Sequence, residues 1–211
     1  MVEFCCMTLA NQCGIETADF ELLSANNNRF WLRQDRFDCV GASDEGRLHM
    51  ISASGLLDAS YREPSLDYVD LVKATRIMCG ATDAKKMLQR ALFNYLICNQ
   101  DDHAKNFAFL CDDKDNWRLS PFYDVVYSPS SSSEHMTAFN GDGIAPKKSS
   151  LALMARHAGM DPKEVNGMAE AIMHTLSSAK TVLRHVGVST ATTHTITSTI
   201  QSKWSQLKNR L

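Results

Sequence analysis

The sequence lacks most features that would place it outside the ordinary globular proteins. Only 10 of its 211 residues are Gly and 5 are Pro, too few for a fibrous repeat or extended disorder. No apolar run approaches the roughly 18 to 20 residues of a membrane helix, and the opening MVEFCCMTLANQCGIE has no basic leader before a long apolar core. With 22 basic and 24 acidic residues the net charge is −2, so no overall basic field indicates binding to nucleic acid or an anionic membrane.

The cysteines form neither a disulfide framework nor a zinc pattern. There are seven, an odd number, with no C-x-x-C pair and no His at ligand spacing. Most stand among apolar neighbours and are typical of small buried hydrophobes in a reducing compartment. The sequence therefore predicts a soluble, cytoplasmic protein without a membrane contact.

Periodicity predicts an α+β chain that is mainly α, with helices on either side of two small β-hairpins. A turn at Asn26-Asn27-Asn28 joins the strands of the first hairpin, and Asp83 is a reasonable N-cap for the helix before the second. We treat residues 1–211 as one domain in three segments: 1–64 (helix, hairpin and loop), 65–148 (candidate catalytic segment) and 149–211 (terminal helices). The predicted helices cover 2–13, 66–79, 84–98, 149–159, 162–185 and 189–211, and the predicted strands cover 19–25, 29–37, 107–110 and 117–119.

The stretch from Asn99 to Asp124, NQDDHAKNFAFLCDDKDNWRLSPFYD, has the most chemically specific pattern. Asp101 and Asn106 have the spacing D-x-x-x-x-N, and Asp124 follows the second hairpin. Kinase catalytic loops use this spacing for the Asp that accepts the substrate proton and the Asn that binds Mg²⁺, with a later Asp on the metal. The hairpin would bring Asp124 back beside Asn106, so that two oxygen ligands suited to a hard cation face each other.

Each of these residues also has a structural interpretation. An isolated Asp such as Asp101 usually caps a helix or solvates a turn, and Asp124 could belong to a turn after Pro121. His103 could contact phosphate or hold the loop, and the structural role is favoured. Lys105 could neutralise charge on the transferring phosphoryl group or on Asp101.

Several motifs together resemble the HipA-type toxin kinases. DDHAKNFAFL followed by WRLSPFYD looks like the catalytic and metal-binding segments of that family. Glu3 on the first helix looks like the family's Glu-bearing helix, RQDRFD at 33–38 resembles its E-R-F-D hinge, and GRLHMISASGLL at 46–57 is similar to the segment after the hinge. The resemblance covers nearly the whole chain and implies the C-terminal lobe of a two-lobed serine/threonine kinase.

The resemblance implies a role for each matching residue. Asp101 would be the catalytic base, and Asn106 and Asp124 the Mg²⁺ ligands. The residues assigned to ATP are Asp35, Arg36, Phe37, His103, Lys105, Asn106, Tyr123 and Asp124, of which 35 to 37 would lie against the adenine. Asp35 stands where the family usually has Glu, a change that a backbone-mediated contact tolerates and a side-chain contact does not.

The resemblance also implies a function and its partners. The family belongs to type II toxin-antitoxin systems and phosphorylates a protein hydroxyl, with an aminoacyl-tRNA synthetase as the expected target class. A helix-turn-helix antitoxin is the implied partner, and DNA contact would come only through it. The alternative is a pseudokinase-like module that binds an antitoxin or nucleotide without turnover, and a kinase for a small-molecule hydroxyl has the same motif.

The family's N-terminal lobe has no match in this sequence. That lobe supplies a phosphate-covering loop and a strand Lys that pairs with the Glu of the first helix, yet residues 1–100 contain no Gly-rich run and no A-x-K strand. Three explanations stay open: a fragment of a longer kinase, one subunit of a split kinase, or a non-catalytic remnant. We expect the chain to need an N-lobe for activity.

Overall fold

The computed structural model describes residues 1–26, 29–41 and 46–211 and has the expected mainly helical α+β architecture. The described helices are α1 (Val2–Gln12), α2 (Ala53–Leu56), α3 (Tyr68–Cys79), α4 (Ala81–Ile97), α5 (Lys148–Ala158), α6 (Pro162–Leu176), α7 (Ala179–His185) and α8 (Thr190–Lys208). The described strands are β1 (Phe20–Ala25), β2 (Arg29–Gln34), β3 (Cys39–Val40), β4 (Gly46–Arg47), β5 (His49–Ser52), β6 (Leu66–Asp67), β7 (Ala108–Cys111), β8 (Trp117–Leu119) and β9 (Thr137–Ala138). Among the helices in these ranges, none has the length and apolar character needed to cross a membrane.

Helix α4 is the centre of the core. It packs against α3, α5, α6 and α8, and its side chains from Ala91 to Ile97 are almost completely buried. A helix that is buried on nearly all sides is fixed by packing rather than by propensity. Because α4 ends at Ile97, with Cys98 as its C-cap, the candidate catalytic loop (residues 99–106) starts from this buried helix.

The predicted first hairpin is confirmed by antiparallel pairing of β1 with β2, in which Leu23 lies opposite Trp31. Within its predicted turn, Asn27 and Asn28 lie outside the described residues. The predicted second hairpin, β7 with β8, is confirmed too, but it is part of a larger sheet of order β5-β7-β8. Strand β5 pairs antiparallel with β7 from a segment predicted as loop.

A pair of two-residue strands joins distant parts of the chain. Strands β6 and β9 run parallel, with Leu66 opposite Thr137 and Asp67 opposite Ala138. Neither strand was predicted, since two residues give no period. The pair places the segment after Asp124 beside the start of α3.

The terminal helices follow the prediction except in one place. Pro162 is the first residue of α6, after the N-cap Asp161, as expected. The single helix predicted over 162–185 is wrong, because the chain bends at Ser177 and Ser178 and divides into α6 and α7. The side chains of both serines bond to carbonyls of the last turn of α6, which competes with continuing the helix.

Replacing a core aromatic tests this packing. Phe109 is at the centre of β7 and is fully buried, so Phe109→Ala should lower the free energy of unfolding by about 3 to 5 kcal/mol. Ile77, which is 75% exposed on α3, is the matched control, and Ile77→Ala should change it by less than about 0.5 kcal/mol. Urea unfolding of both variants gives the comparison, and equal losses would contradict the assigned core.

Candidate active site

The candidate catalytic loop begins with a sharp turn at the end of α4. Cys98 has a positive φ of 56° and directs the chain away from the helix axis. The loop then runs along the segment after Asp124: Gln100 N–H donates to the Ser128 carbonyl at 3.0 Å, and Ser128 N–H donates to the Cys98 carbonyl at 3.0 Å. The loop is thus paired to a second loop over its first residues.

Gln100 fixes one flank of the candidate base. Its side-chain oxygen accepts from Ser130 N–H at 2.8 Å, and its side-chain nitrogen donates to the Ser133 carbonyl at 2.6 Å. Its backbone carbonyl accepts from Met136 N–H at 3.2 Å. Gln100 is 3% exposed, so these bonds form in a site with little competition from water. The serine turn 130–133 is therefore clamped next to Asp101.

Asp102 fixes the other flank through a fully buried carboxylate. One of its oxygens accepts from the Tyr68 hydroxyl at 2.6 Å and lies 2.8 Å from His135 Nδ1, and the other accepts from Thr137 N–H at 3.2 Å. The Thr137 hydroxyl donates to the Asp102 backbone carbonyl. Asn94 of α4 completes the network by donating to the Tyr68 oxygen at 2.9 Å. Burial raises the pKa of Tyr68 well above its usual value, with the Asp102 charge adding to the effect.

Asp101, between these two anchors, is exposed. No described hydrogen bond or ion pair uses its carboxylate, and only its backbone carbonyl is engaged, by Asn106 Nδ2 at 2.9 Å. A cap or turn role would use the carboxylate on nearby N–H groups. The arrangement presents an unpaired carboxylate on a backbone that is held on both sides, as a general base requires.

Asn106 closes the loop and leaves one oxygen free. It ends a short 3-10 turn, Ala104–Asn106, and is 7% exposed. Because its amide nitrogen donates to Asp101, its Oδ1 is the atom left over, and no described hydrogen bond uses it. A buried amide whose oxygen is uncommitted suits a cation ligand.

Helix α4 also holds the segment that carries Asp124. Asp83 is not an N-cap as predicted, because α4 begins at Ala81 and the buried Asp83 carboxylate instead accepts from Leu119 N–H at 2.8 Å. Two turns further along α4, buried Arg90 donates to the Ser120 carbonyl at 2.6 Å and lies over the Phe122 ring. Burial lowers the pKa of Arg90 to about 10, which leaves it charged near neutral pH.

Tyr123 connects this segment to the catalytic loop. Its hydroxyl donates to the Lys105 carbonyl at 2.5 Å, and its ring packs on Phe37 with centroids 5.1 Å apart. The residues directly before Asn106 and Asp124 are therefore in contact. Asp124 itself is exposed, with a positive φ of 55° and a carboxylate that none of the described ion pairs includes.

Glu3 of α1 lies within electrostatic reach of Asp124. Burial raises the pKa of Glu3, and the nearby Asp124 carboxylate raises it further. The Met1 ammonium offsets part of this rise, and further positive charge near the two carboxylates would offset more of it. No ion pair of Glu3 exists among the described residues.

The hinge-like residues are only partly brought to the site. Phe37 reaches it through Tyr123, but Arg36 turns to Asp38 in a two-point ion pair at 2.6 and 2.9 Å. Asp35 is exposed, and its N–H donates to the Asp19 carbonyl at 2.8 Å. Of the three predicted adenine contacts, Phe37 is the one whose side chain joins the rest of the site.

Lys105 and His103 both contact the ring of Tyr61. The Lys105 ammonium is 3.5 Å from the centre of the Tyr61 ring, and the His103 ring meets the same tyrosine edge-on at 6.2 Å. His103 Nδ1 is buried, with no described partner. The contact with Tyr61 supports the structural role for His103, while the exposed Lys105 can turn from the ring toward an anion.

The oxygen donors fit a magnesium ion that arrives with a nucleotide. In residues 1–26, 29–41 and 46–211, no three His, Cys, Asp or Glu side chains form a ready metal cage. Mg²⁺ usually takes one or two protein oxygens and completes its shell with water and phosphates. Asn106 and Asp124 supply that number of ligands. No described hydrogen bond or ion pair uses the Asn106 Oδ1 atom or the Asp124 carboxylate.

The residues that hold the site have no motif in the sequence. Gln100, Asp102, His135 and Arg90 make the anchoring bonds, and none of them belongs to the predicted set of site residues. The run of polar residues in QDDH between two buried segments is the available signal, because consecutive polar residues there must find partners. The side-chain partners of Gln100 and Asp102 are 30 to 35 positions away and have no local pattern.

Comparison with known proteins places the chain in a family. The model of the HipA-like C-terminal domain matches residues 1–180. In structure, the chain resembles the HipA toxin of Shewanella oneidensis, solved with HipB and operator DNA, with a TM-score of 0.76 at 18% identity. That match covers 97% of this chain and 55% of the HipA chain and shows a shared fold.

Two relatives also resemble the chain in sequence. A protein of Sinorhizobium fredii that is named as a kinase, Y4mE, is 32% identical over 130 residues, 57% of this chain and 30% of its own length. Toxin YjjJ of Escherichia coli is 29% identical over 126 residues, 56% of this chain and 27% of its own length. The matched segment thus spans less than a third of either relative. The chain belongs to the HipA-like C-terminal domain family.

Proposed function

We propose that this chain is the catalytic lobe of a serine/threonine kinase that transfers the γ-phosphoryl group of ATP to a protein hydroxyl. The observation that carries the proposal is the Asp101 carboxylate, exposed and unpaired between Gln100 and Asp102, whose bonds hold the backbone on both sides. An unpaired carboxylate at a fixed place can accept the proton of an incoming hydroxyl. Phosphoryl transfer asks mainly for such positioning and for charge neutralisation.

The other site residues bind the metal, neutralise charge and contact the adenine. Asn106 and Asp124 hold the metal, and bound Mg²⁺ supplies positive charge that neutralises the phosphates of ATP. Lys105 moves from the Tyr61 ring toward the transferring group and offsets its charge. Phe37 and Tyr123 form the apolar wall toward the adenine.

An N-terminal lobe is part of this proposal. Glu3 needs a lysine partner, and the hairpin beside it exposes apolar surface: Trp31 is 65% exposed and lies opposite Leu23, which is 40% exposed. Exposed apolar side chains that lie together indicate a contact surface. We propose that a lobe covering this hairpin supplies the phosphate loop and the lysine, either within a longer chain or as a separate subunit.

The biological role follows the family. HipA of Shewanella oneidensis was solved with HipB and operator DNA, and YjjJ is named a toxin. We propose by analogy that this protein is a toxin of a type II toxin-antitoxin system whose helix-turn-helix antitoxin makes the DNA contact. An aminoacyl-tRNA synthetase is the proposed substrate class, and the cytoplasm the proposed location.

Replacing the base tests the chemistry. In a mixture of the chain with the N-lobe of a HipA-type relative and labelled ATP, Asp101→Asn should reduce transfer to protein by roughly 100-fold or more, the usual contribution of a general base. The exposed carboxylate makes no structural bond, so the circular dichroism spectrum and unfolding midpoint should stay unchanged. Asp113→Asn, in the exposed turn between β7 and β8, is the control and should keep full activity. No transfer by the unsubstituted mixture, with both parts folded, would contradict the kinase proposal.

Replacing the metal ligand separates the kinase from the pseudokinase alternative. Asp124→Asn should weaken Mg²⁺-dependent ATP binding by roughly tenfold or more, measured by calorimetry. It should also lower the pKa of Glu3, because the neighbouring negative charge that raises it is removed. A carbon-13 NMR titration of the Glu3 carboxyl follows that change. Unchanged ATP affinity in Asp124→Asn would show that the metal assignment is wrong, whereas normal binding without transfer in the unsubstituted mixture would favour the pseudokinase.

A further inference from the structure

Tyr61 contacts both basic residues of the catalytic loop and lies outside the residues assigned to the site. It belongs to the segment between α2 and β6 and is half-buried. The Lys105 ammonium is 3.5 Å from the centre of its ring, and the His103 ring meets it edge-on with centroids 6.2 Å apart. No described hydrogen bond uses the Tyr61 hydroxyl, so these contacts depend on the ring alone.

The chain on either side of Tyr61 is tied back to itself. Before it, the Ser54 hydroxyl donates to the Ala59 carbonyl at 2.7 Å, and Ala59 N–H donates to the Ser54 carbonyl at 3.1 Å. Across it, the Ser65 hydroxyl donates to the Ser60 carbonyl at 2.8 Å and closes a small loop. Serine hydroxyls that bond nearby backbone groups stabilise such turns. The backbone that carries the ring is therefore ordered.

Lys105 is held at both ends. Its backbone carbonyl accepts from the Tyr123 hydroxyl at 2.5 Å, and its ammonium lies on the Tyr61 ring. No described hydrogen bond or ion pair uses this ammonium, although the exposed carboxylates of Asp101 and Asp124 belong to the same candidate site. The negative face of an aromatic ring attracts a cation. The Tyr61 ring is therefore the group with which a phosphate would compete for Lys105.

A second cation weakens the hold of the ring on Lys105. The guanidinium carbon of Arg62 is 5.1 Å from the centre of the Tyr61 ring, and Arg62 forms no ion pair within residues 1–26, 29–41 and 46–211. Two cations that share one ring repel each other. A charge-assisted hydrogen bond to phosphate is also stronger than an exposed cation–π contact. A phosphate can therefore draw Lys105 away from Tyr61.

We propose that Tyr61 is a positioning residue that withholds the Lys105 ammonium from the nucleotide and so lowers the affinity for the phosphates of ATP. The inference rests on the proposed kinase function and adds a residue that acts through Lys105. An exposed cation–π contact corresponds to a factor of about two to five in an equilibrium constant. A ligand that needs the released ammonium binds more weakly by about that factor. Because ATP binding breaks the contact, the turnover of bound ATP does not depend on Tyr61.

Carbon-13 NMR of the full chain tests the contact without turnover. Reductive methylation with labelled formaldehyde adds two methyl groups to each lysine and keeps its charge, and Lys105→Arg identifies the Lys105 signal. Methyl groups over a ring face are shielded, so this signal should lie upfield of the other exposed lysines. It should join them in Tyr61→Leu, stay upfield in Tyr61→Phe and move downfield when Mg²⁺ and ATP are added. An unshielded Lys105 signal in the unsubstituted chain would overturn the proposal.

Calorimetry of the chain mixed with the N-lobe of a HipA-type relative measures the effect on ATP. In the presence of Mg²⁺, Tyr61→Leu should bind ATP about two- to fivefold more tightly, whereas Tyr61→Phe keeps the ring and should bind as the unsubstituted chain does. In a Lys105→Met background, Tyr61→Leu should have no further effect, because the contact is already lost. In steady-state assays the KM for ATP should fall by the same factor while kcat stays unchanged.

The outcomes separate this proposal from the kinase proposal. Weaker or equal ATP binding in Tyr61→Leu, with an unchanged circular dichroism spectrum, would overturn the inference, because a purely structural ring gives that result. An equal gain in the Lys105→Met background would overturn it too, since the effect would not pass through Lys105. Tighter ATP binding in Tyr61→Leu without transfer to any protein would contradict the kinase proposal and leave the role of Tyr61 standing. Absence of ATP binding in every variant would contradict both.

Discussion

The buried carboxylate of Asp102 is the constraint on which the site depends. Its oxygens meet a hydroxyl from α3, an imidazole and a backbone N–H from the segment after Asp124, so one side chain joins three parts of the chain. A fully buried carboxylate is costly unless it is this well satisfied, and loss of one partner leaves an expensive unpaired group. The network therefore strongly favours this arrangement. Because Asp101 is the residue directly before Asp102, the arrangement also sets where the candidate base lies.

The two neighbouring aspartates show how burial divides similar residues into different roles. Asp102 is entirely enclosed and stabilises the loop, while Asp101 is exposed and available to a substrate. On our account Asn106, Asp124 and Lys105 receive a metal and phosphates beside Asp101. Helix α4 supports this site through the loop at its end and through Asp83 and Arg90 along its length.

Sequence reasoning predicted the parts of this structure that depend on local pattern. The helices, both hairpins, Pro162 at the start of α6 and the D-x-x-x-x-N loop all follow from spacing and residue type. What it could not predict depends on distant contacts. The partners of Asp102 are 33 to 35 residues away, and the β6–β9 pair consists of two-residue strands. The break between α6 and α7 was missed because serine is tolerated inside helices, and only its side-chain bonds to the preceding turn end one here. The predicted N-cap role of Asp83 is wrong because its carboxylate accepts from Leu119 N–H, a contact between distant residues that has no local pattern.

The central claim is that Asn106 and Asp124, brought together by the Tyr123 contact with Lys105, form one cation site beside Asp101. Manganese, which takes the same oxygen ligands as magnesium and broadens nearby NMR signals, tests it most directly. In the isotope-labelled chain titrated with Mn²⁺ and ATP, the side-chain amide of Asn106 and the backbone amide of Asp124 should broaden first and together. Broadening that begins instead at the acidic turn of Asp112, Asp113 and Asp115, with Asn106 and Asp124 unaffected, would contradict the account.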